Sequence, residues 1–214
     1  MAARKRTFDI VVAGTILVVL SPVLAAVAAA VKLESRGPVL FVQQRIGRGG
    51  RPFGILKFRT MVVGAERLGP NVSATEDARI TRVGRLLRRC FLDEAPQLVN
   101  VLRGEMSLVG PRPETPEYAA LLSPDERRIL SVRPGMAGPS TLAYSAREAA
   151  LLAEQEDPDR FYRDHLLHAR IRADLEYLDR AGVREDVRVL AKTSALVASG
   201  LGFRSPRPPA TGRP

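Results

Sequence analysis

An uncharged apolar segment runs from Ile10 to Val31, and it constrains the fold of this chain more than any other feature. At about 1.5 Å per residue, a straight helix of this length would cover the ~30 Å hydrocarbon core of a bilayer. Basic residues precede the segment and small residues lie near its end, as they do in a secretory signal. Three interpretations therefore compete: a cleaved signal, a single membrane-spanning helix, and a re-entrant hairpin that enters and leaves by the same membrane face.

The dipeptide Ser21-Pro22 favours the re-entrant hairpin. Proline removes a backbone hydrogen bond and kinks a helix, and a neighbouring serine can satisfy the carbonyl that is freed. Basic residues also flank the segment on both sides, which fits two cytoplasmic ends, whereas a spanning helix should show an asymmetry. They are Arg4, Lys5 and Arg6 before the segment and Lys32, Arg36, Arg45, Arg48 and Arg51 after it. A mild kink in a spanning helix is the alternative interpretation of Pro22.

The charge balance is strongly basic, with 33 Lys and Arg against 23 Asp and Glu, a net charge of +10. Such a charge favours polyanionic partners, among them nucleic acids, anionic lipids and phosphorylated substrates. Trp is absent and aromatic residues make up 5% of the chain, so platforms for base stacking are scarce and nucleic acid is the least favoured partner. The single cysteine, Cys90, excludes an internal disulfide and is predicted to pack on the apolar side of its helix.

An acidic pair, Asp93-Glu94, stands just before a predicted helix. Pro96 fits the first turn of that helix and Gly104 can end it. Asp93 would then cap the helix, close to unpaired N–H groups and the positive end of the helix dipole, a place that also suits a phosphate. An ordinary N-cap is one interpretation. The other is phosphoryl chemistry, because a basic run precedes the pair: Arg82, Arg85, Arg88 and Arg89.

The stretch from Pro38 to Met61 is predicted to form a β-hairpin around the glycine-rich turn at residues 47–50. Strand alternation would place Lys57 and Arg59 on one face, where two cations suit phosphate oxygens; a solvated basic strand is the alternative. The next helix, with apolar positions from Val83 to Phe91, is amphipathic and could lie in a membrane interface.

Several motifs occur together in one order, and they resemble those of the bacterial sugar transferase family, the monotopic phosphoglycosyl transferases that begin lipid-linked glycan assembly. The resemblance runs from about Arg6 to Arg133 and more weakly to about Ala198. Its motifs are Phe8-Asp9 before the segment that holds Ser21-Pro22; Glu34-Ser35-Arg36-Gly37-Pro38-Val39-Leu40-Phe41; Gln44-Arg45-Ile46-Gly47; Lys57-Phe58-Arg59-Thr60-Met61; Arg88 with Leu92-Asp93-Glu94-Ala95-Pro96-Gln97-Leu98; Asn100-Val101-Leu102; Met106-Ser107-Leu108-Val109-Gly110-Pro111-Arg112-Pro113-Glu114; and Arg133-Pro134-Gly135. No further spanning segment precedes them, so we expect the small, minimal class.

The resemblance implies a two-step reaction. Asp93 attacks the sugar-linked phosphorus of a nucleotide sugar, usually a UDP-sugar, and releases UMP; a polyprenyl phosphate then attacks the phosphosugar–aspartate intermediate. Glu94, with Asp93, would hold Mg²⁺. The remaining candidate substrate-binding residues are Lys57, Arg59, Arg79, Arg88, Gln97, Arg112 and Glu114. Arg112 resembles the arginine that the family uses near the uridine.

The implied fold is α+β and mainly helical, with a re-entrant helix-break-helix at the N-terminus, a small β-hairpin and amphipathic interfacial helices around the active site. We predict a membrane segment with its flanks at residues 1–36, a cytoplasmic catalytic domain at 37–200 and a disordered Pro/Arg-rich tail at 201–214. The expected location is the cytoplasmic face of the bacterial inner membrane, and the oligomeric state stays open.

One stretch departs from the family pattern. Many relatives follow the Arg-Pro-Gly turn with a segment that contains Trp-Gln, whereas residues 138–144 here read Gly-Pro-Ser-Thr-Leu-Ala-Tyr. The identity of the sugar is therefore left open. Two rival functions also remain: a glycosyltransferase that moves the sugar alone and releases UDP, and a non-enzymatic basic module that docks on anionic lipid or nucleic acid.

Overall fold

The computed structural model describes residues 2–65 and 77–198, and this part of the chain is mainly helical with two small sheets. The helices are α1 (Ala2–Glu34), α2 (Arg82–Arg89), α3 (Gln97–Arg103), α4 (Pro116–Ala120), α5 (Pro139–Ala153), α6 (Pro158–Phe161), α7 (Leu167–Leu178) and α8 (Val183–Ala198). The strands are β1 (Leu40–Ile46), β2 (Pro52–Phe58), β3 (Ser107–Val109) and β4 (Gly135–Ala137). The α+β, mainly helical prediction is confirmed. The predicted tail at 201–214 lies outside the described residues.

The apolar segment forms one helix, α1, with Pro22 inside it. Within the described residues it is the one helix long and apolar enough to cross a membrane. The predicted interruption into two helices is not present. The hydroxyl of Ser21 donates a 2.8 Å hydrogen bond to the carbonyl of Val18, the group that Pro22 cannot satisfy. The helix therefore continues through the proline.

One side of α1 packs on the rest of the protein along most of its length. The N-terminal half, around Ala13, joins a core with Leu98, Val101 and Met106, while the C-terminal half packs Val31 against Phe58 and Leu87. The opposite side is apolar and uncovered, with Val18 74% and Val19 67% exposed. A single helix thus presents one face to the protein and one to its surroundings.

Polar contacts fasten the N-terminal end of α1. The buried carboxylate of Asp9 accepts hydrogen bonds from the Ser107 hydroxyl (2.8 Å) and the Leu108 amide (3.2 Å). The Lys5 ammonium donates to Asp186 at 2.5 Å and to the carbonyl of Val109 at 3.1 Å. Arg6, a second residue of the basic flank, caps the end of α3 by donating to the carbonyls of Val101 and Leu102.

The C-terminal end of α1 is fastened as well. The Glu34 carboxylate accepts hydrogen bonds from the amides of Arg82 (2.8 Å) and Val83 (3.1 Å), at the start of α2. Arg59 donates to the carbonyls of Val31 and Ser35. Both ends of the apolar helix are therefore tied to one folded unit.

The predicted hairpin is confirmed. Strands β1 and β2 pair antiparallel from Leu40 opposite Phe58 to Ile46 opposite Pro52, and residues 48–50 form the turn. The buried side chain of Asn100 on α3 accepts from the Leu56 amide (3.0 Å) and donates to the Gly54 carbonyl (2.8 Å). This contact holds the hairpin against the helix that follows the acidic pair.

Helix α2 is amphipathic as predicted, but its apolar side is only partly covered. Leu87 is buried, whereas Leu86 is 61% exposed. The prediction that Cys90 packs inward is wrong, because Cys90 is exposed. It terminates α2 with non-helical dihedral angles (φ −101°, ψ 4°), so the helical period no longer fixes its direction.

Candidate active site

The acidic pair lies on a short 3₁₀ turn, Leu92–Glu94, between α2 and α3. Phe91 enters this turn in the left-handed region with φ 54°, and in the described part of the chain no other non-glycine residue has a positive φ. The prediction that Asp93 caps the following helix is wrong. That helix begins at Gln97 after Pro96 and has no side-chain cap. Asp93 is instead held by a strained reversal of the chain, a feature that clusters at functional sites.

Glu94 is paired with two cations. Its Oε1 lies 2.8 Å from Lys57 Nζ and 3.7 Å from Arg112 Nη2. Burial alone would raise the pKa of Glu94, but Lys57 and Arg112 lower it to about 2. Glu94 is therefore ionised across the physiological range, and it connects the end of the hairpin with the Pro-Arg-Pro turn.

Asp93 has the opposite electrostatic environment. Burial and the adjacent charge of Glu94 raise the pKa of Asp93, while Lys57 and Arg88 oppose that shift. Across residues 2–65 and 77–198 no cation forms a salt bridge with Asp93, whereas Glu94 has both Lys57 and Arg112. Two neighbouring carboxylates whose pKa values are pushed apart are typical of sites where the two groups have different chemical roles.

The sequence resemblance implies that Asp93 is the nucleophile, so we expect the rate of nucleotide release to depend on pH through this carboxylate. Because burial raises the pKa of Asp93 above its ordinary value of 3.8, activity should fall as the pH drops through this raised pKa. The pKa of Glu94, about 2, lies too low to contribute. The diphosphate of a nucleotide sugar has no group that titrates in this range, so an initial burst of nucleotide release measured against pH isolates Asp93. An acid limb at or below 3.8 would contradict this assignment.

Arg88 faces the acidic pair from α2. Its Nε donates a 2.9 Å hydrogen bond to the Thr60 hydroxyl. Burial lowers the pKa of Arg88, and Asp93 partly restores it. The Arg79 side chain binds the Asp77 carboxylate through three hydrogen bonds and the carbonyl of Ala65 through another. The structure thus places Arg88 beside Asp93, while Arg79 and Asp77 form a pair behind Arg88.

Arg59 does not come together with Lys57. Strand β2 ends at Phe58, so the alternation that predicted a shared face stops one residue too early. Arg59 is 6% exposed, and its Nη2 donates to the carbonyl and the hydroxyl of Ser35 at 2.8 Å. A cation at the end of α1 is stabilised by the carbonyls and the helix dipole, which is the role that this structure shows for Arg59.

Gln97 and Glu114 are both buried. Gln97 is 2% exposed, and its Nε2 has no hydrogen-bond partner among the described residues. The Glu114 carboxylate accepts a hydrogen bond from the Tyr162 hydroxyl (3.2 Å). Its backbone carbonyl accepts from the Ile46 amide (2.9 Å), which joins the hairpin to the segment that carries Arg112.

The sequence missed several residues around Arg112. Arg45, which was counted among the membrane-flanking charges, is partly buried and donates to the carbonyl of Pro113 at 3.0 Å. Burial and the neighbouring Arg112 lower the pKa of Arg45. On the other side, Glu148 of α5 forms an ion pair with Arg170 of α7 and, after Glu94, is the anion that most raises the pKa of Arg112. No local pattern marks these residues, because their partners are distant in sequence.

A metal ion at this site would need ligands from the substrate as well as from the protein. Among residues 2–65 and 77–198, no cluster of three or more His, Cys, Asp or Glu side chains could hold a metal by itself. Asp93 and Glu94 nevertheless supply the carboxylate oxygens that Mg²⁺ prefers, and Mg²⁺ is usually bound by one or two carboxylates together with substrate phosphates. The acidic pair fits that arrangement.

Comparisons with known proteins show the family to which the chain belongs. The model of the family described as bacterial sugar transferase matches residues 1–200. The chain is 40% identical, over 195 residues, to a UDP-glucose:undecaprenyl-phosphate glucose-1-phosphate transferase of Caulobacter vibrioides, covering 89% of this chain and 68% of the relative. It is 36% identical over 205 residues to a UDP-N-acetylgalactosamine-undecaprenyl-phosphate N-acetylgalactosaminephosphotransferase of Aeromonas hydrophila.

A third relative is a UDP-glucose:undecaprenyl-phosphate glucose-1-phosphate transferase of Escherichia coli K12, 38% identical over 196 residues. These matches cover 94% and 88% of this chain but only 45% of the Aeromonas relative and 39% of the Escherichia coli relative. The family model, in contrast, spans nearly the whole chain. The chain belongs to the bacterial sugar transferase family.

Proposed function

We propose that this protein transfers a sugar-1-phosphate from a nucleotide sugar, a UDP-sugar by analogy with its relatives, to a polyprenyl phosphate. The reaction would pass through a covalent phosphosugar–Asp93 intermediate, release UMP and begin the synthesis of a lipid-linked glycan. The observation that carries the proposal is the contrast within the acidic pair: Glu94 is bridged to Lys57 and Arg112, and Asp93 is the carboxylate left for attack.

In the first step, an Asp93 oxygen attacks the phosphorus that bears the sugar. A new P–O bond forms to Asp93, the bond from this phosphorus to the bridging oxygen breaks, and UMP leaves with the electron pair. Lys57, Arg88 and Arg112 lie around the acidic pair and can stabilise charge on the phosphoryl oxygens.

In the second step, a phosphate oxygen of the polyprenyl phosphate attacks the same phosphorus. The bond to Asp93 breaks, the carboxylate is regenerated, and polyprenyl diphosphate sugar is formed. A carboxylate nucleophile thus divides one difficult displacement into two easier ones. Mg²⁺, held by Glu94 and Asp93 together with the substrate phosphates, would neutralise charge on the diphosphate.

The anchoring of α1 supports a monotopic topology. The helix has 33 residues, about 50 Å at 1.5 Å per residue. Lys5 and Asp9 at one end and Glu34 at the other all contact the same folded unit. A spanning helix would place these ends on opposite sides of the bilayer. One polar folded domain that contacts both ends cannot lie on both sides of the membrane at once. We therefore propose that both ends lie on the cytoplasmic face of the bacterial inner membrane, with the uncovered face of the uninterrupted helix α1 in lipid.

This topology predicts that both ends of α1 are accessible from one side. Arg4 and Arg36 are exposed on either side of the apolar segment, so a single cysteine can be placed at each in a Cys90→Ser background. In inside-out vesicles an impermeant maleimide should label both Arg4→Cys and Arg36→Cys. In intact spheroplasts it should label neither. Labelling of one site in each preparation would mean that α1 spans the membrane.

The nucleotide product separates the proposed reaction from its main rival. Purified protein in nanodiscs is supplied with undecaprenyl phosphate, Mg²⁺ and either UDP-glucose or UDP-N-acetylgalactosamine, the two sugar classes named for the relatives. We expect UMP from at least one donor. Release of UDP would instead indicate a glycosyltransferase that moves the sugar alone.

A further inference from the structure

Asp174 of α7 is a buried carboxylate that the proposed chemistry does not use directly. It is 1% exposed. Its Oδ2 accepts hydrogen bonds from the Arg112 amide (3.0 Å) and from the Ser140 hydroxyl (2.8 Å), and its Oδ1 accepts from the Ser140 amide (3.1 Å). One side chain therefore joins α7 to the Pro-Arg-Pro turn and to the first turn of α5.

The contact with Arg112 is specific to that turn. Pro111 and Pro113 have no N–H, so the amide of Arg112 is the only backbone donor in the tripeptide. Asp174 takes this donor. The two joined segments are also packed closely, since a Cβ added to Gly138 would lie 2.5 Å from the carbonyl oxygen of Gly110.

Arg112 is thereby held at both ends. Its guanidinium lies 3.7 Å from Glu94, and its backbone amide is bound by Asp174. A guanidinium recognises phosphate with a directional fork of N–H donors, so a small rotation of its backbone displaces several hydrogen bonds at once. The contact with Asp174 fixes the point from which the Arg112 side chain extends.

The negative charge of Asp174 does not by itself stabilise the fold. Burial raises the pKa of Asp174 to about 6, although three donors bind it. A group whose pKa is higher in the folded than in the unfolded state holds its proton more tightly when folded, so the free energy of unfolding decreases as the pH rises through this range. Ionisation of Asp174 thus lowers the free energy of unfolding near neutral pH, while its hydrogen bonds hold the three segments together.

We infer that Asp174 is a positioning residue, which sets Arg112 for contact with the nucleotide part of the donor substrate and links that contact to the start of α5. The inference rests on the proposed function, because it takes a nucleotide as the ligand of Arg112. The ligand class is a nucleoside diphosphate.

The test is a double-mutant cycle on nucleotide binding. Full-length protein in nanodiscs is titrated with UDP in the presence of Mg²⁺, using wild type, Asp174→Asn, Arg112→Ala and the double variant. We expect Arg112→Ala to weaken binding about 30-fold and Asp174→Asn about 10-fold, within the range for charged hydrogen bonds. The double variant should bind no more weakly than Arg112→Ala alone, because Asp174 acts through Arg112.

Ser140→Ala is the matched control. It removes one hydrogen bond from the same carboxylate and leaves the Arg112 amide in place, so UDP affinity should change less than about threefold. Losses from Asp174→Asn and Arg112→Ala that multiply, or a Ser140→Ala variant as weak as Asp174→Asn, would overturn the inference. A wild-type protein that binds UDP but yields UDP as its product would refute the proposed function. The double-mutant cycle measures UDP affinity alone, so it would still test the role of Asp174.

A measurement on the unmodified protein covers the case in which Asp174→Asn does not fold. Hydrogen exchange at the Arg112 amide should be slow in the wild type, because that amide is bound by a buried carboxylate. Exchange at the rate of an unstructured peptide would overturn the inference without any variant.

Discussion

Asp93→Asn should abolish UMP release, with a fall in rate of about 10⁴-fold or more. The substitution keeps the shape of the side chain but removes the nucleophilic oxygen, and the groups that remain around the site cannot form the covalent intermediate. The measurement is UMP formation from the UDP-sugar that the wild type accepts. If the protein were only a basic docking module, neither the wild type nor the variant would release UMP.

The same variant should fold at least as well as the wild type. Burial raises the pKa of Asp93 above its ordinary value, so the folded state holds the Asp93 proton more tightly than the unfolded state does. The charge of Asp93 therefore lowers the free energy of unfolding as the pH rises through that range, and its removal costs nothing at pH 7. We expect an unchanged or higher Tm and unchanged membrane association. A large fall in Tm would mean that lost activity reports misfolding.

Lys57→Met should reduce the rate of UMP release by about 10²- to 10³-fold, the range for one group that stabilises transition-state charge. Lys57 bridges Glu94 at 2.8 Å and also lies near Asp93. Its loss removes a cation from the phosphoryl group and leaves Glu94 with Arg112 alone at 3.7 Å. Lys57 also opposes the raised pKa of Asp93, so its loss should raise that pKa further and move the acid limb of the pH–rate profile upward.

Lys192→Met is the control for that substitution. Lys192 is exposed on α8, so the variant changes the net charge of the protein equally without entering the site. It should retain wild-type activity and membrane binding. Equal losses in the two variants would mean that overall positive charge matters and that Lys57 has no particular role in the reaction.

The parts of the fold that have local sequence signals could be predicted. The β-rich runs around residues 47–50 predicted the hairpin. Gly104 was predicted to end the helix after the acidic pair, and it adopts φ 83°, which glycine tolerates best. The role of Ser21 as a donor to the carbonyl freed by Pro22 also followed from local chemistry.

The errors arose where geometry overrode a pattern. Asp93 was predicted to cap a helix because Pro96 suggests a helix start, but the left-handed conformation of Phe91 and the 3₁₀ turn set the pair apart from α3. A bulky aromatic residue gives no sequence signal for that conformation. Arg59 was predicted to lie beside Lys57 on the assumption that β2 continues past Phe58. The strand ends at Phe58, and the Arg59 side chain instead donates to the carbonyl of Ser35 at the end of α1.

The residues that the sequence missed depend on distant partners. Arg45 binds the carbonyl of Pro113, and Asp174 binds the amide of Arg112. Neither contact has a period or a spacing that can be read along the chain. The basic residues before the apolar segment were interpreted only as evidence for membrane topology. Their contacts with the protein were not predicted, since Lys5 and Arg6 bind the folded unit directly.

The most direct test of the central claim is the mass of the protein itself. Wild-type protein is mixed with its UDP-sugar and Mg²⁺ in the absence of polyprenyl phosphate, and the intact chain is measured by mass spectrometry after rapid quenching. We predict an increase equal to one sugar phosphate, mapped by proteolysis to the peptide with Asp93, and its disappearance when polyprenyl phosphate is added. An unmodified chain that nevertheless turns over, or an adduct that persists in Asp93→Asn, would contradict the covalent mechanism.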